Sequence, residues 1–142
     1  MRFMVLVKAS PESEAGVLPD EKMLAEMGKF NEELVKAGIM LAGEGLHASA
    51  KGAKVRYEGS KRTVIDGPIA EAKELVAGFW LWQVKSRDEA LEWLKRAPFR
   101  EGEVELRLVA EPADFAASDP TGKLMKKEEE LRKVVESRSQ RS

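Results

Sequence analysis

Proton transfer near neutral pH needs an imidazole or a tuned carboxylate, and this chain offers a single histidine, His47. A neighbouring carboxylate lets such a ring take and return a proton. Two acidic residues stand in turn-like surroundings. Glu44 lies just upstream in Gly43-Glu44-Gly45-Leu46-His47, and Asp66 opens Asp66-Gly67-Pro68. The pattern predicts His47 as acid or base with Asp66 as the group that orients it, and Glu44 as an alternative partner for the proton. Glu71, Lys73 and Glu74 follow the turn closely. They would form a charged rim for a small polar molecule, Lys73 steadying negative charge. Trp80, with Trp82 and Tyr57, would supply the apolar wall that ligand pockets need beside a few polar groups. The plainer reading is that Asp66 caps its own turn, His47 lies at the surface or a dimer interface, the charged trio pairs on the surface, and one tryptophan is core.

Other chemistries are poorly provided for. With one His and no Cys, a zinc site would have to be built from carboxylates, so no metal is expected. Gly43 and Gly45 lack the third glycine and the strand-to-helix setting of a dinucleotide loop, and no cofactor is expected. Twenty-four Lys and Arg balance twenty-five Asp and Glu for a formal charge of -1. That removes the electrostatic argument for a nucleic-acid partner. The sequence shows neither a membrane-length apolar run nor a secretory leader, so a cytoplasmic location is expected.

These residues need elements to position them. Arg2 to Ala9 alternates as a strand with two apolar faces, which places it inside a sheet. Ser10 to Leu18 reads as a loop ending at Pro19, with Asp20 capping a helix whose inner stripe is Met23, Met27, Phe30 and Leu34. Gly38 stops that helix, and Ile39 to Ala42 gives a second strand. Ala53 to Glu58 and Arg62 to Ile65 form a hairpin leading into the Asp66 turn. Ile69 to Ala77 is compatible with a short helix or a shaped loop. Gly78 to Lys85 is an aromatic strand, and Ser86 with Glu89 forms a capping box for a helix with inner residues Ala90, Leu91, Leu94 and Ala97. Val104, Leu106 and Leu108 alternate with charged residues in a last strand. Without the hairpin the order is βαββαβ, the ferredoxin-like pattern: an antiparallel sheet with both helices on one face. The other face needs cover, and a second copy packing sheet to sheet predicts a homodimer. Residues 116–142 change in composition to a charged helical extension or tail, leaving 1–115 as the domain.

Gly43-Glu44-Gly45-Leu46-His47, Asp66-Gly67-Pro68 with Glu71, Lys73 and Glu74, and Glu89-Ala90-Leu91-Glu92-Trp93 resemble the DGPF-domain branch of the YCII-related family. The motif departs at Ile69, where Phe is usual, and at Ala72, where Thr is common. The resemblance implies a dimeric α+β barrel built from ferredoxin-like domains. Some relatives have a proposed His/Asp acid-base pair, and a related enzyme eliminates chloride during chloroaromatic breakdown. Most members have no assigned reaction; the equipment of His47, Asp66 and Lys73 is what fits a cofactor-free lyase or isomerase acting on a small polar organic molecule. Other DGPF proteins are linked to extracytoplasmic-function sigma factors. That implies the rival class, a ligand-binding or regulatory module without catalysis.

Overall fold

The computed structural model describes residues 1–71 and 74–139. Met1–Leu108 forms one compact unit and Val109–Ser142 a second. The first is built on a four-stranded sheet of β1 (Arg2–Lys8), β2 (Met40–Gly45), β5 (Val76–Gln83) and β6 (Val104–Leu108), in the order β2-β5-β1-β6. Each neighbouring pair is antiparallel. With the separate hairpin of β3 (Ala53–Glu58) and β4 (Lys61–Asp66) set aside, this is the ferredoxin-like order. Between the strands lie α1 (Pro11–Glu14), α2 (Glu21–Lys36) and α3 (Arg87–Lys95).

Strand alternation decides the layers. Phe3 and Val5 of β1 and Trp80 and Trp82 of β5 point to one face and are buried with Phe30 and Leu34 of α2 and Ala90 of α3. Both helices therefore cover the same side of the sheet. Met4 pairs with Leu81 and Leu6 with Phe79 on the other side, an apolar row in the middle strands. The core is aromatic: Phe30 meets Trp80 and Trp82 edge-on, with ring centres 5.8 and 6.4 Å apart. The Trp80 indole N–H donates to Asn31 Oδ1 at 2.9 Å, whereas the Trp82 indole N–H is buried without a partner.

The helix starts follow the sequence closely. The Asp20 carboxylate accepts from Met23 N–H at 2.8 Å, and Ser86 Oγ accepts from Glu89 N–H at 3.1 Å. The return arm at Ser86 differs from a standard capping box. Glu89 Oε2 takes the Lys85 N–H instead, tying α3 to the end of the preceding strand. On α3 it is Trp93, not Leu91, that packs on the core, with the Arg96 guanidinium 4.2 Å above its ring.

Two elements differ from the sequence expectation, and a third is the stretch open to a short helix or a shaped loop. The stretch expected to be all loop after β1 contains α1, whose Ser10 and Ser13 side chains each accept the other's backbone N–H. The signal was Ser10 followed by Pro11, a cap with proline in the first turn. β2 runs on through Gly45, because β5 supplies backbone partners as far as the Gly45–Gly78 pair and overrides the low strand propensity of glycine. Residues 69–71 and 74–75 form no α-helix; Leu75 is buried and its carbonyl accepts from Ala9 N–H at 3.0 Å.

The second unit contains a 3-10 turn at Pro112–Phe115 and α4 (Lys123–Ser139). The Asp119 carboxylate accepts from Leu124 and Met125 N–H at the start of α4. No described helix is long and apolar enough to cross a membrane.

Candidate functional site

A cleft opens where the sheet lacks side chains. Gly43 lies opposite Trp80 and Gly45 opposite Gly78, so all three glycines face α2 across the layer. Beside them lies a hollow of about 350 Å³, lined by these glycines with Val7, Met27, Asn31, Trp80 and Phe99 and edged by Glu44 and Phe79; of the three, Gly45 is the one whose missing side chain leaves open space. Gly43 has a second reason to be glycine: a Cβ there would lie 2.8 Å from Trp80 Cδ1, so the indole rests directly on the strand backbone.

A larger cavity of about 710 Å³ adjoins the hollow, sharing Pro19, Gly45 and Ala77 with it. One wall is α1 and the following loop, a second is the start of α2, and a third is the strap 45–48 with His47. Arg100 and Glu101 close the rim. Met23, expected in the core stripe, lines this cavity instead. The charges there are partly committed: Asp20 caps α2, and Glu26 holds Arg100 at 3.0 Å. Among the described residues, the side chains of Glu12, Lys22, His47 and Glu101 have no hydrogen-bond or ion-pair partner. The arrangement joins an apolar, indole-walled interior to a mouth with free acids, a free amine and an imidazole. It is suited to a small molecule with an apolar body and polar groups at one end.

The strap is held at both ends. Upstream of His47, Leu46 N–H donates to the Ala77 carbonyl at 2.8 Å. Downstream, Glu14 accepts twice from Ser49, from the backbone N–H at 3.0 Å and from the hydroxyl at 2.5 Å. Ser49 Oγ in turn accepts from Ile69 N–H at 2.9 Å, and Gly67 N–H donates to the Gly52 carbonyl at 2.9 Å. The Asp66-Gly67-Pro68 turn is thereby docked on the 3-10 turn Ser49–Lys51. Gly67 is required for closeness, not for an unusual φ: it is absent from the positive-φ positions, yet a Cβ there would fall 1.8 Å from the Ser49 carbonyl oxygen.

The structure gathers some of the sequence-predicted residues and separates others. His47 lines the larger cavity, and Glu44 and Trp80 line the adjoining hollow. Asp66 ends β4 opposite Ala53, lines neither cavity, and shares no hydrogen bond or ion pair with His47. Glu71 is exposed and lines neither cavity. Lys73 lies outside the described residues. Glu74 is exposed, Tyr57 is on the hairpin at 69% exposure, and Trp82 is core. Sequence reasoning missed Glu14, Ser49, Glu12 and Glu101. Glu14 and Ser49 meet across 35 positions of chain, which no local pattern announces.

Fold and cleft together define a ferredoxin-like α+β domain with a glycine-floored pocket beside its only histidine. The chain belongs to the YCII-related domain family, which matches residues 1–113. It is 32% identical over 76 residues to an uncharacterised protein of Rhizobium meliloti (strain 1021), covering 54% of this chain and 61% of that relative. The chain thus spans less than two thirds of that relative's length. Among solved structures it is similar to 5-chloro-2-hydroxyhydroquinone dehydrochlorinase from Burkholderia phenoliruptrix AC1100, in complex with 2,5-dihydroxybenzoquinone. That likeness has a TM-score of 0.44 at 16% identity, and covers 78% of this chain and 94% of the other.

Proposed function

We propose that this protein is a cofactor-free acid-base enzyme, of lyase or isomerase type, acting on a small polar organic molecule held in the cleft. The observation that carries the reading is His47, unpartnered on the wall of the 710 Å³ cavity that adjoins the Trp80 hollow. A substrate with its apolar body over Gly43, Gly45 and Gly78 would hold its polar end within the charged mouth. There His47 transfers the proton, with Glu12 or Glu101 as second acid or base. In this proposal Asp66 acts through its turn, which supports the strap, and Lys73 remains a candidate for steadying negative charge on the substrate.

The second copy belongs to the same proposal. Met4, Leu6, Phe79 and Leu81 make the sheet face turned away from α2 and α3 apolar, and sheet-to-sheet packing of two chains would cover it.

Ligand-observed NMR with a library of small hydroxylated and carbonyl ring compounds is the first test. Hits should shift the His47 ring and Trp80 indole signals together. The same compounds incubated in D2O should exchange a carbon-bound proton, and His47→Asn should slow that exchange by roughly 100-fold or more. Binding without exchange would make the protein a ligand-binding module; no binding at all would end the proposal.

A further inference from the structure

We infer that Glu14 and Ser49 are positioning residues that fix the His47 imidazole over the cavity, with the Asp66–Pro68 turn as the third support of the same clamp. The functional meaning of the clamp rests on the proposed role of His47, but its geometry stands by itself. His47 and Ala48 are the two residues between anchors at Leu46 and Ser49. The upstream anchor is the sheet; the downstream anchor is α1. Because Ser10, Glu12 and Ser13 of the α1 segment line the same cavity as His47, the Glu14 carboxylate fastens two opposing walls to each other.

The chemistry of the three groups explains their types. Ser49 presents two donors, its N–H and its O–H, and Glu14 has an oxygen for each. A carboxylate accepts both without needing a proton of its own, and hydrogen bonds to a charged acceptor are the stronger kind. With its proton directed at Glu14, Ser49 Oγ offers its lone pair to Ile69 N–H. The hydroxyl therefore relays the position of α1 to the 66–69 turn. Gly67 completes the relay by allowing the turn to lie against the Ser49 carbonyl, where no side chain fits. Two motifs far apart in sequence, the glycine-rich strap and the Asp-Gly-Pro turn, are thus parts of one device joined through Ser49.

The protein carries one histidine and three tryptophans, which makes it its own reporter. The test uses the full chain, isotopically labelled and without ligand, as wild type and as Glu14→Gln, Ser49→Ala and Ser49→Thr. Glutamine keeps one acceptor oxygen and places an NH2 donor where the second stood, so the two Ser49 donors must share one oxygen or the hydroxyl must turn to accept; alanine keeps the backbone donor but loses the hydroxyl's links to Glu14 and Ile69. The His47 ring cross-peak should move by more than a linewidth or double in Glu14→Gln and Ser49→Ala, and return to the wild-type position in Ser49→Thr. The tryptophan indole signals should stay in place throughout. In the wild type alone, the Ser49 and Ile69 amides should exchange with solvent ~100-fold more slowly than an unstructured amide. A His47 signal that coincides with wild type in both disruptive variants, or unprotected Ser49 and Ile69 amides, overturns the clamp. A cleft that binds none of the library compounds would remove the enzymatic reading while leaving the His47 result intact, so the two failures are separable.

Discussion

Gly67→Ala tests the docking of the Asp-Gly-Pro turn most directly. The added Cβ would lie 1.8 Å from the Ser49 carbonyl oxygen, 2.7 Å from its carbon and 3.1 Å from Ala50 Cα. All three atoms are backbone, so no side chain can swing away. Restoring contact at 3.0–3.4 Å requires the turn to retreat by about 1.2–1.6 Å, enough to break the 2.9 Å bonds Gly67 N–H to Gly52 and Ile69 N–H to Ser49. Two hydrogen bonds at about 1 kcal/mol each give about 2 kcal/mol lost. The reduced freedom of the unfolded chain returns about 0.4–1 kcal/mol. A net loss of about 1–2 kcal/mol should lower the melting temperature by roughly 4–8 °C in a domain of this size. Gly45→Ala is the matched control, since nothing lies within 4 Å of its added Cβ and neither glycine has a positive φ. It should melt at or slightly above wild type. Thermal unfolding followed by tryptophan fluorescence reads both. If Gly67→Ala melts with the control, the contact with Ser49 does not constrain the turn and the reasoning fails.

Two other substitutions probe the core and the uncommitted face of the sheet. Asn31→Ala removes the acceptor of the Trp80 indole N–H, a part-buried bond on the wall of the 350 Å³ hollow, at a cost of about 0.5–1.5 kcal/mol by denaturant unfolding. Its NMR signal should move toward that of the already unpartnered Trp82, and an unmoved Trp80 signal would show that the bond is absent in solution. Leu81→Arg puts a charge into the Met4–Leu81 row, and light scattering should report the 15.8 kDa single chain, against twice that mass expected of the wild type if the proposed dimer forms. A wild-type protein that is already a monomer at micromolar concentration would dispose of the proposed dimer.

The aromatic strand and the helix starts were legible because each rests on local chemistry. Alternation at Trp80 and Trp82, an Asp20 or Ser86 oxygen within reach of a free N–H three residues on, and the 3.6-residue stripe through Phe30 and Leu34 are all short-range signals. The βαββαβ order followed from counting them, and with it the side of the sheet on which the helices pack. Among the candidate site residues, His47, Glu44 and Trp80 were singled out from residue type and spacing, and the structure places them on adjoining cavities.

What the sequence could not supply was distance between segments. Nothing local distinguishes Gly67, glycine because the Ser49 carbonyl presses on it, from a glycine chosen for its turn. Nor does any pattern tell that Gly43, Gly45 and Gly78 lie side by side, because strand register, not spacing, aligns β2 with β5. The extension of β2 through two glycines is the same effect: pairing with β5 outweighs propensity. By itself the sequence determined which elements form and which faces are apolar, through caps and periods set within a few residues. The tertiary structure alone decided that Glu14, Ser49 and Ile69 meet at the downstream end of the strap that carries His47, and that Asp66 shares no bond with His47. Those contacts depend on how the chain closes across tens of residues, where packing governs and periodicity carries no information.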